Sequence, residues 1–336
     1  TYFDFTEDTL IDIARTAQGV GAELFVLDDG WFGNKYPRND DKAGLGDWQP
    51  NKKKLPNGIK ALTDAAKQQG VKFGLWIEPE MINPKSELME KHPNWVVAWN
   101  DRERYYFRNQ LVLDLSNPEV QNYVYDIVDG LLTNCPDIAY FKWDCNSPLT
   151  NIYSNYEKEH QSHLFVDYVK GLYKVLDRLK AKYPKIPMML CSGGGGRTDY
   201  EALRYFTEFW ASDNTDPIDR LYIQWGFSHI FPAKTICAHV TEWNRKVDLK
   251  FKVDVAMMGK MGFDLNFSTL PKADADFCKN AVKAYNGFKD IIFKGDLYRL
   301  VSPYSNTHTA TMYVDEAQKR AVVFAFDIFP RYSTAE

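Results

Sequence analysis

The sequence contains neither a Cys-x-x-Cys pair nor a His-x-x-x-His pair, so no zinc site or disulfide framework is written into its 336 residues. The five cysteines (Cys135, Cys145, Cys191, Cys237, Cys278) are odd in number and widely spaced, and a reducing cytoplasm is the expected compartment. No apolar run reaches the ~18 residues that would mark a membrane-spanning helix. There is no excess of positive charge either. A net charge of -4 argues against nucleic acid or an anionic membrane surface as the main partner. The opening Thr1-Tyr2-Phe3-Asp4-Phe5 has no basic n-region, no apolar h-region and no initiator Met. It shows no targeting signal and reads as the start of a trimmed or internal piece. No internal repeat or low-complexity run stands out. The one glycine-rich run, Cys191-Ser192-Gly193-Gly194-Gly195-Gly196-Arg197, lacks both the Gly-Lys-Ser/Thr ending of a phosphate loop and the Gly-x-Gly-x-x-Gly spacing of a dinucleotide site. Its glycines instead let backbone approach a ligand without side-chain clash.

What the chain does have is aromatic side chains: nine Trp, 20 Tyr and 21 Phe. These rings stack on the C–H faces of sugars, and they equally fill large cores. Buried strands alternate with helices, which predicts a parallel α/β architecture. Strands are expected at residues 22–27, 71–77, 111–115, 140–146, 187–191, 208–212 and 262–267. Each ends on polar residues, and chemistry at nearly every strand end favours a closed (β/α)8 barrel over an open sheet. A closed barrel needs an eighth strand, expected just upstream of Thr1. Asn117-Pro118-Glu119 is a strong helix start, with an Asn cap and Pro in the first turn. The pattern changes after a helix at 271–288. Residues 297–300, 309–314 and 320–326 look like antiparallel strands. The expected organisation is therefore a catalytic barrel over residues 1–295 and the start of an incomplete C-terminal β domain over 296–336.

Tyr140-Phe141-Lys142-Trp143-Asp144-Cys145-Asn146 begins as a buried strand and ends on a carboxylate beside a lysine, a tryptophan and an amide. Such a strand end suits a nucleophile on a barrel rim. The plain alternative is a buried Lys142–Asp144 ion pair. A retaining glycosidase needs two carboxylates about 5–5.5 Å apart, and Asp144 and Asp213 are the candidates. Lys142 would hold Asp144 ionised, whereas Asp213 would need a raised pKa to arrive protonated. Asp28 and Asp29 end another strand and suit sugar hydroxyls, or one of them caps the loop. Trp76 suits a stacking role or a core position. Glu78 and Glu80 read as holding their loop, and Arg108 as a partner for a carboxylate or a sugar oxygen. A metal-dependent barrel lyase would instead use Asp28, Glu78 and Asp144 as ligands for Mg²⁺.

Seven motifs in order resemble the catalytic barrel of the bacterial α-galactosidases of glycoside hydrolase family 36. They are Phe25-Val26-Leu27-Asp28-Asp29-Gly30-Trp31-Phe32-Gly33, Gly46-Asp47-Trp48, Gly74-Leu75-Trp76-Ile77-Glu78-Pro79-Glu80-Met81, Arg108-Asn109-Gln110-Leu111-Val112-Leu113-Asp114, Lys142-Trp143-Asp144, the Cys191–Arg197 run and Trp210-Ala211-Ser212-Asp213-Asn214-Thr215-Asp216. The resemblance implies a retaining mechanism with Asp144 as nucleophile and Asp213 as acid/base. It implies that Asp28 and Asp29 bind the galactose hydroxyls at C4 and C6. Trp76, Arg108, Lys142, Cys191, Gly193 and Gly194 would line the rest of the pocket. It also implies no metal or cofactor, an α-galactoside oligosaccharide as the partner, and a homotetramer for the full-length protein. Cys145-Asn146-Ser147 replaces the family's common Met-Asn-Arg, and Met189-Leu190-Cys191 replaces a Glu-Asn-Cys run. These changes keep α-N-acetylgalactosaminide hydrolysis and raffinose-type galactosyl transfer open as alternatives. The family's large N-terminal β-sandwich, which supplies a pocket wall and much of the tetramer contact, is absent from this sequence.

Overall fold

The computed structural model describes residues 2–329. The chain divides into two compact units, one formed by residues up to Gln18 with Glu23–Thr207, the other by Gly19–Ala22 with residues from Glu208 onward. The last residues of the expected C-terminal domain, 330–336, lie outside the described residues.

The first unit runs α1 (Glu7–Val20), β1 (Leu24–Leu27), α2 (Gly58–Gln68), β2 (Lys72–Ile77), β3 (Met81–Ile82), α3 (Glu87–Lys91), β4 (Leu111–Val112), α4 (Pro118–Asn134), β5 (Ile138–Trp143), α5 (Leu164–Lys182) and β6 (Met188–Leu190). Strands β1, β2, β5 and β6 pair in parallel, in that order. Strand β2 is buried from Phe73 to Ile77, as a strand covered on both faces must be. Burying Leu75 and Ile77 completely contributes about 1.5–3 kcal/mol each. Asn117 caps α4 by accepting from Glu119 N at 2.9 Å, with Pro118 at the first turn. Helix α5 packs closely because Gly171 has no side chain; a Cβ there would sit 1.8 Å from Leu115 O.

One expected strand is not in the parallel sheet. Of residues 111–115 only Leu111 and Val112 are extended, and they pair antiparallel with Met81 and Ile82. Leu113 and Leu115 are fully buried, so the apolar run is real. Its backbone is bonded elsewhere: Leu113 N to Glu80 O and Asp114 N to Trp95 O. The segment closes the loops that follow β2.

The second unit runs β7 (Glu208–Trp210), α6 (Pro217–Ser228), β8 (Ile236–Thr241), α7 (Leu249–Ala256), β9 (Lys260–Asp264), α8 (Lys272–Lys294) and three further strands, β10 (Asp296–Val301), β11 (His308–Val314) and β12 (Ala321–Asp327). Strands β7, β8 and β9 are parallel, whereas β10, β11 and β12 form an antiparallel sheet. Strand β8 has no counterpart among the expected strands, and β9 lies two to three residues before the expected 262–267. The core of this unit draws Val253 and Ala256 from α7, Ile291 and Ile292 from α8, and Phe324 and Phe326 from β12.

Candidate active site

The parallel pairing brings the C-terminal ends of β1, β2, β5 and β6 to one edge of the first unit. Trp76 lies opposite Lys142, and Trp143 lies opposite both Ile77 and Leu190. Asp144, one residue beyond β5, continues that register by donating its N–H to Ile77 O at 2.8 Å, and Cys191 does the same to Trp143 O. The Asp144 side chain is buried and held at both oxygens. Oδ1 accepts from Cys145 N at 2.8 Å, and Oδ2 from the Trp76 indole N–H at 3.1 Å. Donors on both oxygens fix the plane of the carboxyl group. Trp76 is itself held, since its carbonyl accepts from the Trp31 indole N–H at 2.9 Å. Its ring joins a cluster with Phe32 and Trp48, at centroid separations of 6.2 and 6.1 Å. The buried indole nitrogen of Trp48 makes no hydrogen bond among the described residues.

Two further carboxylates sit at the end of β1 with different partners. Asp28 is 59% exposed and accepts from Lys142 Nζ at 2.7 Å. Lys142 thus forms an ion pair with Asp28, whereas the plain alternative in the sequence reading was a Lys142–Asp144 pair. Burial alone would lower the Lys142 pKa, but Asp28, Cys191 and Asp144 raise it well above its ordinary value, so the ammonium stays charged. Asp29 is clamped by the Arg38 guanidinium, Nε to Oδ1 at 2.9 Å and Nη2 to Oδ2 at 2.7 Å. Arg38 is also tied to Asn83 Oδ1 and Ala43 O. Burial pushes the Asp29 carboxyl above its ordinary value while Arg38 pulls it back.

Behind Asp144 are two buried glutamates. Glu78 Oε1 accepts from Asn146 N at 2.6 Å. Burial, and then the negative charges of Asp144 and Asp29, raise its pKa well above the usual carboxylate range. Glu80 accepts from the Trp143 indole at 2.8 Å, Tyr168 OH at 2.6 Å, and both terminal nitrogens of Arg197 at 2.9 and 3.0 Å. Arg197 thereby anchors the glycine run. That run turns tightly, with Ser192 N donating to Gly194 O at 2.7 Å and positive φ at Gly193 and Gly194. It is joined to the β5 end through Gly193 N to Asn146 Oδ1 and Ser192 Oγ to Cys145 O.

Arg108 is exposed on a tight turn closed by Phe107 and Gln110, with φ of 50° at Arg108 and 61° at Asn109, and the Asn109 carbonyl accepts from Asn83 Nδ2 at 2.8 Å. Asp213 belongs to the second unit, in the loop that follows β7. Among the described residues no three acids, histidines or cysteines converge as cation ligands, and Asp28 of the suggested Mg²⁺ trio is paired with Lys142.

The melibiase family profile matches residues 1–295. The chain belongs to the melibiase family. This bears out the resemblance to glycoside hydrolase family 36. Among curated relatives, "Alpha-galactosidase AgaA" of Geobacillus stearothermophilus is 41% identical over 334 residues, covering 98% of this chain and 45% of the relative. "Alpha-galactosidase C" of Emericella nidulans is 38% identical, covering 99% and 45%. The crystal structure of the same AgaA superposes with a TM-score of 0.95 at 40% identity, covering 100% of this chain and 47% of that one. A variant of AgaA in complex with raffinose matches with a TM-score of 0.93 at 41% identity, covering 96% and 45%. The chain spans less than half the length of these relatives.

Several residues around the site escaped the sequence reading. Arg38 lay in a polar loop and carried no motif. Tyr168 lay on a helix face indistinguishable from packing. Glu80 was legible as a loop holder, but its three partners come from β5, α5 and the glycine run, which only the fold brings together.

Proposed function

We propose that the chain is the catalytic part of a retaining α-galactosidase that removes terminal α-linked galactose from raffinose-type oligosaccharides. Asp144 is the nucleophile and Asp213 the acid/base. Asp28, Asp29, Trp76, Arg108, Lys142, Cys191, Gly193 and Gly194 bind the sugar. The observation that carries this reading is the Asp144 carboxylate, buried at a parallel-strand end, with Trp76 N–H and Cys145 N–H on its two oxygens and Lys142 two residues before it. A nucleophile needs a carboxyl group held in one orientation, and these two donors hold it. Asp28 and the clamped Asp29 beside it are acceptors suited to adjacent sugar hydroxyls, and Trp76 offers an apolar ring. The names of the relatives and the raffinose bound to one of them support the substrate class.

In the proposed organisation, residues 1–295 supply a (β/α)8 barrel lacking one strand, and residues from 296 onward begin a C-terminal β domain. Five buried thiols suit a reducing cytoplasm, and a homotetramer is the proposed assembly. In the proposed reaction Asp144 displaces the aglycone to give a β-galactosyl ester while Asp213 protonates the leaving oxygen. Asp213 then takes a proton from the water that attacks the sugar carbon, which breaks the ester and releases galactose and the Asp144 carboxylate. The test is Asp144→Gly with added azide. Partial rescue giving β-galactosyl azide supports the assignment; undiminished activity without azide overturns it.

A further inference from the structure

Arg220, on the first turns of α6, is 2% exposed, yet it carries a guanidinium. Three backbone carbonyls receive its hydrogen bonds. Nη2 donates to Ser212 O at 2.6 Å, Nε to Asn214 O at 2.8 Å and Nη1 to Cys237 O at 3.2 Å. The guanidinium also lies over the Trp210 ring, 4.7 Å from its centroid. The first two carbonyls belong to the residues immediately before and after Asp213. The rest of the turn is tied down as well. Asn214 N donates to Ser212 Oγ, Asn214 Nδ2 to Asp219, and Asp216 caps α6 through Ile218 N and Asp219 N.

We propose that Arg220 is the positioning residue of the acid/base: its planar fork clasps the peptides on either side of Asp213 and sets a cation beside the turn that carries it. The inference rests on the acid/base role proposed for Asp213 above. A buried cation bound to neutral carbonyls is costly, and a purely structural clasp of this shape needs no charge. The charge has a use if the neighbouring carboxyl must give up its proton in one step and hold the resulting anion. The charged or titratable groups around Arg220 are Asp213, Asp264 and Cys237, with His239 and Lys252 lining the same small cavity. Burial lowers the guanidinium to about 10, opposed by Cys237, Asp213 and Asp264, so it remains cationic at neutral pH.

The test compares Arg220→Lys and Arg220→Met in the full chain. Lysine keeps the charge but cannot bridge two carbonyls in one plane. Rates are read on raffinose, whose leaving group needs protonation, and on 4-nitrophenyl α-galactoside, whose leaving group needs little. The expected result is a kcat/KM loss of about 10- to 100-fold on raffinose for both variants, and at most a few-fold on the nitrophenyl substrate. In Arg220→Met the alkaline limb of the raffinose pH profile should move to higher pH, because removing a cation makes the Asp213 anion harder to form. In Arg220→Lys it should stay. Equal losses on both substrates with an unmoved limb would mean that Arg220 only supports the fold. Asp213→Asn, run alongside, separates the two readings. If it shows no leaving-group dependence, the acid/base assignment itself fails.

Discussion

Removing the Glu80 carboxylate should destabilise the first unit more than any other single polar truncation near the site. Glu80 is fully buried and accepts four hydrogen bonds, from Trp143, from Tyr168 and twice from Arg197. In Glu80→Ala the guanidinium loses its counter-charge, and two neutral donors lose their acceptor. Breaking a buried ion pair from one side costs about 3–5 kcal/mol. The Arg197 side chain is 26% exposed, so water recovers part of the loss and the lower end applies, about 3 kcal/mol. At roughly 2–4 °C per kcal/mol the melting temperature should fall by about 6–12 °C. Glu80→Gln keeps the volume and one acceptor but loses the charge-assisted bonds, for about 1.5–3 kcal/mol. Tyr168→Phe should cost about 1 kcal/mol, because Glu80 retains its other donors. Thermal melts of the three variants give the order Ala, Gln, Phe from most to least destabilised. A Glu80→Ala melt within about a degree of the parent would refute the reasoning, as would a Tyr168→Phe loss as large as that of Glu80→Ala.

Glu78 makes a pH prediction. Its pKa is raised above the ordinary 4.5, so over the interval above that value the folded state holds a proton that the unfolded state has released. Its contribution is complete below about 4.5 and is lost as pH rises towards the folded value. Glu78→Gln should therefore flatten the decline in melting temperature from acid to neutral pH, and parallel profiles for parent and variant would contradict this. Gly171→Ala places a Cβ 1.8 Å from Leu115 O, so α5 must shift; a loss of about 1–3 kcal/mol or more in chemical denaturation is expected, and a neutral variant would sink the packing argument. Arg38→Lys keeps a cation beside Asp29 but no longer holds it in a two-point clamp. KM for an α-galactoside should rise more than kcat falls, and an unchanged KM would remove Asp29 from the sugar pocket.

Much of the first unit was legible in the sequence because its strands are apolar runs that stop abruptly. Residues 71–77 and 140–146 contain β2 and most of β5, and Asp144, Glu78 and Cys191 follow directly from reading the strand ends. Residues 111–115 show the limit of that method. Alternating buried leucines give the period of a strand, but the partner that decides the sheet is not encoded in the run, and here it is the short strand β3 at Met81–Ile82. Strand β8 was missed for the converse reason. Ile236–Thr241 contains Cys237, Ala238 and His239, which weaken the β signal, and it earns its place through pairing with β7 and β9. The carboxylates were visible as letters, but their partners were not. Nothing in the sequence links Lys142 to Asp28 across 114 positions, or Arg197 to Glu80 across 117.

The central claim is that Asp144 forms the covalent bond to the sugar. A fluorinated α-galactosyl fluoride that is transferred to the nucleophile and released slowly will label it, and peptide mass spectrometry locates the adduct. The account predicts one galactosyl group per chain, on the peptide containing Asp144, with activity recovering as the label is lost. A label on Asp213, Glu78 or Glu80, or inactivation with no adduct on the Asp144 peptide, would contradict it.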